Sequence, residues 1–374
     1  MIYQPLEDSF LLEKEVKKFA KGSVLDMGTG SGIQAVAAAK RKQAKKVLAV
    51  DIQKSVIDFC KKNVKNKKIK FRQSNLFKSI PKQKFDTIIF NPPYLPAEPK
   101  LKDLTVEGGK KGFETVQRFL KSAGAYLKDD GIILLLISSL TNKAKVEEIL
   151  TENLFEFEIL SKKHIFFEDL LVYKIQKNKI VQKLIKKGVK NIQYFTKGHR
   201  GILFTGKYKN KKITIKAKLP ESEAVGRIAN EGKWIKKLNK EGIGPNLVMA
   251  EKDFFAYHFV EGKVFPKFAE KAGKQKLKKI IRNLFMQCHK LDKLGIDKEE
   301  MHRPYKHILV KGNKATLLDF ERVHKSKKPK NVTQFIQYLA SGKIGLVKRK
   351  KAIEVSKAYK KSMDIKPVLD YVGS

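Results

Sequence analysis

The chain has 374 residues, of which 42% are hydrophobic. It is long enough for two domains with cores of their own, and its composition excludes an intrinsically disordered protein. The net charge of +43, from 81 Lys+Arg against 38 Asp+Glu, favours polyanionic surroundings such as RNA or ribosomes, although a lysine-rich proteome would produce the same value.

The first half alternates short β-rich runs with helical stretches. In chain order these are VLDM (24–27), a helix at 33–41, KVLAVD (46–51), a helix to about 63, FDTIIF (85–90), a helix at 114–127 and GIILLLI (131–137). Such alternation predicts an α/β fold, a mostly parallel, doubly wound sheet with helices on both faces. Residues 155–175 predict an antiparallel hairpin at the sheet edge.

A lysine-rich stretch at 177–190 is the predicted linker between a first domain at 1–176 and a second domain at 191–374. The second domain has another order. Strands at 192–217, a helix at 221–240 and strands at 247–260 come first, and two helical segments and a strand at 314–320 follow. Strands first and helices later predict an α+β domain of two lobes.

Cysteine use and hydropathy bear on the compartment. Cys60 and Cys288 lie far apart and in no metal-binding spacing, and the longest apolar run, at 131–137, is too short to cross a bilayer. We therefore expect a cytoplasmic protein without disulfides and without a membrane-spanning segment.

The motif VLDMGTGSG (24–32) combines a strand, a glycine-rich turn and the start of a helix. Gly28 and Gly30 allow the backbone to approach a ligand, and Asp51 at the end of the next strand is placed to accept hydrogen bonds from ribose hydroxyls. NAD and S-adenosylmethionine (SAM) folds share these features. Asp26 suits a ligand with an amino group, as in methionine, better than a pyrophosphate.

The tetrapeptide Asn91-Pro92-Pro93-Tyr94 follows the apolar strand FDTIIF. In a parallel sheet the carboxyl ends of the strands form the ligand face, so we expect the Asn91 amide to meet a substrate there. The two prolines would fix the backbone and Tyr94 would supply an aromatic wall. The predicted acceptor is a planar NH2 group, either an amide or an exocyclic amine.

Three motifs together resemble the class I SAM-dependent methyltransferases of the HemK type, in particular their short archaeal and eukaryotic branch. They are YQPLEDSFLL (3–12), NPPY (91–94) and VEGGKKGFETVQRFL (106–120). The resemblance implies a Rossmann-like fold and methylation of the glutamine in the GGQ loop of a peptide release factor. It also implies a small zinc-binding activator as partner. By the same resemblance, the catalytic residues are Asn91 to Tyr94, and the residues that contact SAM are Ser9, Asp26, Gly28, Asp51, Asn75 and Leu76, with Asn75 where the family usually has Asp.

A nucleic-acid methyltransferase is the alternative reading of the first half. NPPY also suits the exocyclic amines of adenine and guanine, and the basic second half would then serve as an RNA-docking module.

The second half has a lysine, Lys216, in the strand ITIK after a predicted glycine turn. A lysine in this place pairs with nucleotide phosphates, and Glu231 on the next helix is its predicted partner. In TLLDFER (316–322), Asp319 comes after an apolar strand, where a magnesium ligand would stand. These features resemble RIO-type kinases, the small kinase of the KEOPS complex and a group of archaeal predicted Ser/Thr kinases, which implies a bilobal protein-kinase-like domain with ATP and Mg²⁺ as cofactors.

This sequence departs from the pattern of those kinases at three positions. Glu300 takes the place of the catalytic Asp, His307 that of the metal-binding Asn, and Glu321 that of a glycine. A glutamate can act as a base and a histidine can bind a metal. Phosphotransfer, ATP hydrolysis and nucleotide binding without catalysis therefore remain open for this half.

Overall fold

The computed structural model describes residues 3–96, 107–198, 201–219, 226–341 and 347–373. The chain divides into two compact units, Met1–Lys187 and Gly188–Ser374. The division falls inside the stretch predicted as a linker, but most of that stretch is a helix, Lys179–Lys186. The Asn178 side chain caps it by accepting hydrogen bonds from the first backbone N–H groups.

The first unit contains six helices and nine strands in its described residues. The helices are α1 Glu7–Phe19, α2 Ile33–Ala39, α3 Lys54–Asn63, α4 Glu114–Tyr126, α5 Lys143–Glu152 and α6 Lys179–Lys186. The strands are β1 Gly22–Met27, β2 Ala44–Asp51, β3 Ile69–Gln73, β4 Phe85–Phe90, β5 Leu95–Pro96, β6 Glu107–Gly109, β7 Leu127–Ser138, β8 Phe155–Ile165 and β9 Glu168–Lys177.

Seven of these strands form one mixed sheet in the order β3-β2-β1-β4-β7-β9-β8. The first five are parallel, and β9 pairs antiparallel with both β7 and β8. The predicted α/β class and the predicted edge hairpin are thus confirmed. The sequence pattern does not predict strand β3, because its sequence IKFRQ is mostly polar and only Ile69 is buried.

Helices cover both faces of the sheet. Neighbouring residues of β4 point to opposite sides, so Ile88 joins a core with α4 and α5, and Ile89 joins one with α1 and α2. Both side chains are fully buried. Burial on both faces explains why the end of this strand, Ile88 to Phe90, is an unbroken apolar run.

The second unit has six helices and ten strands in its described residues. The strands are β10 Lys190–Lys197, β11 Gly201–Tyr208, β12 Lys211–Lys218, β13 Leu247–Ala250, β14 Phe254–His258, β15 Lys263–Val264, β16 Ile296–Asp297, β17 Ile308–Lys311, β18 Lys314–Leu317 and β19 His324–Lys325. The helices are α7 Arg227–Asn239, α8 Phe265–Ala269, α9 Lys274–Lys293, α10 Asn331–Ala340, α11 Arg349–Ser362 and α12 Lys366–Gly373.

An antiparallel sheet, β10-β11-β12-β14-β13, opens the second unit, and α7 packs on it. A mainly helical part follows, built around α9, α10 and α11 with the small sheet β15-β17-β18. This is the predicted α+β order. The predicted glycine turn at 199–200 and the predicted helix start at 221–225 lie outside the described residues.

Among the residues that the structure describes, every helix is too short or too polar to span a bilayer.

Candidate functional site

A cavity of about 220 Å³ lies in the first unit at the carboxyl ends of β1, β2 and β4. Its lining includes Tyr3, Asp8, Ser9, Gly28, Gly30, Gln34, Asp51, Asn75, Leu76, Asn91, Pro92, Pro93, Tyr94, Glu107, Thr115 and Arg118. The structure therefore brings the predicted cofactor residues and the NPPY tetrapeptide together around one space, with the exception of Asp26.

The glycine-rich turn forms one wall. Gly28 and Gly30 have φ angles of 64° and 54°, in the left-handed region that favours glycine. A Cβ atom on Gly28 would also lie 3.4 Å from the Phe90 ring. Glycine at these positions lets the turn take this path without the backbone strain that a side chain would add.

Asp51 lies at the end of β2 and is held by the turn. Its Oδ2 accepts a hydrogen bond from the Gly30 N–H at 3.2 Å, and its Oδ1 accepts one from the Gln53 N–H at 2.9 Å. Burial raises the pKa of Asp51. Each carboxylate oxygen keeps a further lone pair, which suits a pair of ribose hydroxyls.

Asp26 lies beneath the turn instead of in the cavity lining. Its carboxyl group is almost fully buried and its Oδ2 accepts a hydrogen bond from the Thr29 hydroxyl at 2.6 Å. Burial raises the pKa of Asp26 to about 7. Asp26 thus supports the turn from inside, and direct contact with a cofactor stays a prediction.

Gln34 is a cavity residue that the sequence reasoning missed. Its Nε2 donates a hydrogen bond to the Ser9 carbonyl at 2.8 Å, while its Oε1 is buried and has no hydrogen-bond partner among the described residues. A free amide oxygen suits the ammonium group of an amino acid such as methionine. The one available signal was a polar residue within the otherwise apolar helix IQAVAAA.

These groups fit SAM. The glycine turn admits a ligand close to the backbone, Asp51 can take a ribose, and the Gln34 oxygen offers an acceptor for an amino group. Asn75 and Leu76 line the same cavity, where the resemblance to HemK-type enzymes implies contact with SAM.

Asn91 follows the last residue of β4 and faces helix α1. Its Nδ2 donates a hydrogen bond to Asp8 Oδ2 at 2.8 Å. Its Oδ1 is buried and has no hydrogen-bond partner within the described ranges. Burial, followed by the charge of Asp8, raises the pKa of Tyr94, so the phenol beside Asn91 stays neutral.

The short strands β5 and β6 pair in parallel and hold the NPPY loop from outside. A Cβ atom on Gly108 would lie 2.7 Å from the Pro93 carbonyl oxygen and 2.1 Å from that of Gly112. The glycine of the EGG segment therefore allows the close approach that fixes Pro93.

A second group of charged side chains lies in the second unit around Lys216. Its Nζ donates a hydrogen bond to Glu231 Oε2 at 2.7 Å and lies 3.6 Å from Asp319 Oδ1 and 3.9 Å from Glu321 Oε2. Burial alone would lower the pKa of Lys216, but the carboxylates of Glu231 and Asp319 raise it. The lysine is therefore charged.

His307 bridges two carboxylates beside this lysine. Its Nδ1 lies 3.1 Å from Glu300 Oε2 and its Nε2 lies 3.5 Å from Asp319 Oδ2. These three side chains could hold a metal ion together, as could Glu231, Asp319 and Glu321. Burial lowers the pKa of His307, which favours the neutral imidazole that metals bind.

Lys298 is a further residue that the sequence reasoning missed. It is 1% exposed, and its Nζ donates a hydrogen bond to the backbone carbonyl of Asp319 at 2.7 Å. Asp319 has a φ angle of 59°, which is unusual for a residue with a side chain. Lys298 thus holds Asp319 in its place between Lys216 and His307.

Replacing Gly108 with Ala is expected to destabilise the first unit by about 1 to 3 kcal/mol, because the new methyl group overlaps two carbonyl oxygens. Gly124→Ala is the matched control. It lies within α4, and its Cβ would be 3.6 Å from the Phe155 ring, so the substitution should be neutral or stabilising. Urea unfolding of each variant, monitored by hydrogen exchange of the β4 amides, measures the change in the free energy of unfolding. Equal stability of the two variants would contradict the overlap.

The buried Asp26 predicts a pH effect. Its pKa is about 7 in the fold and about 3.9 in the unfolded chain. The folded protein therefore binds the proton more tightly than the unfolded chain. Its free energy of unfolding should fall as the pH rises from about 4 to about 7, by at most about 4 kcal/mol. Asp26→Asn should remove this pH dependence of stability, as measured by hydrogen exchange in β1. Asp58→Asn, at an exposed position, should leave the pH dependence unchanged.

Comparison with known proteins gives a match in the first unit. The family model described as methyltransferase small domain matches residues 7–167. A protein of Methanocaldococcus jannaschii, provisionally named as a protein N5-glutamine methyltransferase, is 38% identical over 178 residues, which are 46% of this chain and 89% of that protein. The release factor glutamine methyltransferase of Streptococcus pneumoniae is 32% identical over 162 residues, 40% of this chain and 57% of that enzyme.

Among solved structures, a similar chain is found in the E. cuniculi Mtq2-Trm112 complex, described as responsible for methylation of the translation termination factor eRF1. It is 24% identical, covers 47% of this chain and 99% of that chain, and has a TM-score of 0.39. The identity shared with the M. jannaschii protein over most of its length decides the family. This chain belongs, through its first unit, to the class I SAM-dependent methyltransferases that carry the methyltransferase small domain and include the protein N5-glutamine methyltransferases.

Proposed function

We propose that the first unit transfers the methyl group of SAM to the side-chain amide nitrogen of the glutamine in the GGQ loop of a peptide release factor. The observation that carries this proposal is the amide of Asn91, which lines the cavity beside the cofactor turn and keeps an unpartnered Oδ1 within the described part of the chain. The name of the M. jannaschii relative points to a protein glutamine, and that of the S. pneumoniae relative to a release factor.

Bound SAM supplies an electrophilic methyl group on a sulfonium sulfur. The residues of this chain hold the acceptor. Asn91 Oδ1 accepts a hydrogen bond from the glutamine NH2 group, and the Pro92 and Pro93 backbone keeps the loop rigid. With SAM held by the glycine-rich turn and Asp51, the glutamine nitrogen would take the methyl group and the sulfur would keep the electron pair of the C–S bond. The nitrogen would release its proton to solvent after the transfer. Orientation and exclusion of water supply most of the rate.

Two partners follow from the sequence and stay predictions. A small zinc-binding activator follows from the resemblance to HemK-type enzymes, and association with ribosomes or RNA follows from the net charge of +43. Co-purification of the full chain with a candidate activator tests the first partner. Co-sedimentation of the full chain with ribosomes, before and after high salt, tests the second.

Methyl transfer is tested with labelled SAM and three acceptors: a release factor, ribosomal RNA and DNA. Label should enter the release factor and disappear when the GGQ glutamine is changed to alanine. Asn91→Ala should reduce transfer by about 10²-fold or more, and the exposed Asn63→Ala should leave it unchanged. Label in nucleic acid alone would reject the protein acceptor in favour of the nucleic-acid alternative.

We further propose that the second unit binds ATP and a divalent metal, in the manner of an atypical protein kinase. The specific observation is the Lys216–Glu231 pair at 2.7 Å, with Asp319 next to the same lysine. A strand lysine held by a helical glutamate and placed near a metal-binding aspartate can position nucleotide phosphates. Glu300 is the proposed base and His307 with Asp319 the proposed metal ligands.

Lys216→Ala should weaken binding of a fluorescent ATP analogue at least tenfold in the presence of Mg²⁺ or Mn²⁺, because a phosphate partner is lost. Lys207→Ala, on the neighbouring strand and exposed, is the control and should bind normally. Transfer of labelled γ-phosphate that vanishes in Glu300→Gln supports kinase chemistry. Binding without transfer supports a pseudokinase, and equal binding by both variants rejects the site.

A further inference from the structure

Asp8 lies in the first turn of α1, lines the cavity and contacts Asn91. The residue is 3% exposed. Its Oδ1 accepts a hydrogen bond from the Ser9 N–H at 2.6 Å, and its Oδ2 accepts two, from the Tyr3 hydroxyl at 3.0 Å and from Asn91 Nδ2 at 2.8 Å. Both oxygens of this carboxylate are thus occupied by donors.

An asparagine amide has nearly the same shape after a half-turn that exchanges its oxygen and nitrogen. Packing alone therefore does not choose between the two orientations of Asn91. A carboxylate oxygen only accepts hydrogen bonds, so contact with Asp8 is favourable for the Asn91 NH2 group and repulsive for its carbonyl oxygen. Contact with Asp8 therefore determines the orientation of the Asn91 amide.

We infer that Asp8 is the positioning residue of the methyl-acceptor site, and that it fixes the Asn91 amide so that only its carbonyl oxygen is offered to the acceptor. This inference rests on the proposed function of the first unit and adds its selectivity. A glutamine amide donates N–H groups to the offered oxygen. A glutamate carboxylate has only acceptors, so Asn91 Oδ1 repels it. Asp8 thus makes the site select the amide over the acid.

Asp8→Asn tests the inference because the Ser9 N–H keeps an oxygen in the place of Oδ1. The new NH2 group must then take the place of Oδ2 and face Asn91. Asn91 turns its oxygen toward this NH2 group and presents its own NH2 group to the acceptor. We expect kcat for a GGQ peptide to fall by about 10²-fold or more, with SAM binding unchanged.

With its amide inverted, Asn91 should also bind a carboxylate more tightly than in the wild type. A peptide with glutamate in place of the GGQ glutamine should inhibit the wild-type protein weakly and Asp8→Asn at least tenfold more strongly. A merely structural role of Asp8 would weaken the binding of both peptides together. The exposed Asp58→Asn is the matched control and should bind each peptide as the wild type does.

The swapped pair Asp8→Asn with Asn91→Asp provides a rescue. The NH2 group at position 8 donates to one oxygen at position 91, and the other oxygen again offers an acceptor. We expect kcat to return to within about tenfold of wild type, whereas Asn91→Asp alone places two carboxylates in contact and stays inactive. A double variant no better than either single variant, with SAM still bound, overturns the inference.

A readout without an acceptor separates this inference from the proposed function. In ¹⁵N-labelled full-length protein, the Asn91 NH2 protons should exchange slowly with solvent in the wild type and at least tenfold faster in Asp8→Asn. If no release factor is methylated but the exchange changes as expected, the proposed function fails and the Asp8–Asn91 pairing stands. If release factor is methylated and the exchange is equal in both proteins, the inference fails.

Discussion

The parallel pairing of β1 with β4 is the constraint on which the first unit depends. Its register sets Met27 beside Phe90, so Gly28 and Asn91, the next residues of the two strands, leave the sheet side by side. Hydrogen bonding of the backbone therefore determines the distance between the glycine-rich turn and the Asn91 amide. The apolar residues on both faces keep this register, since a slip by one residue would turn each buried side chain to the other face.

Charge has a different place in each unit. In the first unit the carboxyl groups of Asp8, Asp26 and Asp51 are buried and receive hydrogen bonds from neighbouring donors. In the second unit Lys216 and His307 lie among carboxylates. The lysines behind the +43 charge of the chain are mostly exposed, so this charge bears on the proposed association with polyanions and says little about chemistry at either site.

Strand-end motifs could be predicted from the sequence because they are local. NPPY after an apolar run and glycines after VLDM need only the rule that parallel strands end on one edge. Asp8 could be identified only as part of a motif, since its contact with Asn91 joins residues 83 positions apart. Asp26 looked like a ligand from its position, but the side chain lies beneath the turn. Strand β3 could not be predicted from the sequence pattern, because a strand at the edge of a sheet needs few apolar residues.

Asp319 adopts a left-handed backbone conformation, which costs a residue with a side chain about 1 kcal/mol or more. Glycine would take the same conformation without this cost. The hydrogen bond from Lys298 keeps that backbone in place, although removal of this lysine from water is itself unfavourable and lowers its pKa. The second unit thus gives up stability at a residue that lies between Lys216 and His307, where the metal and nucleotide site is proposed.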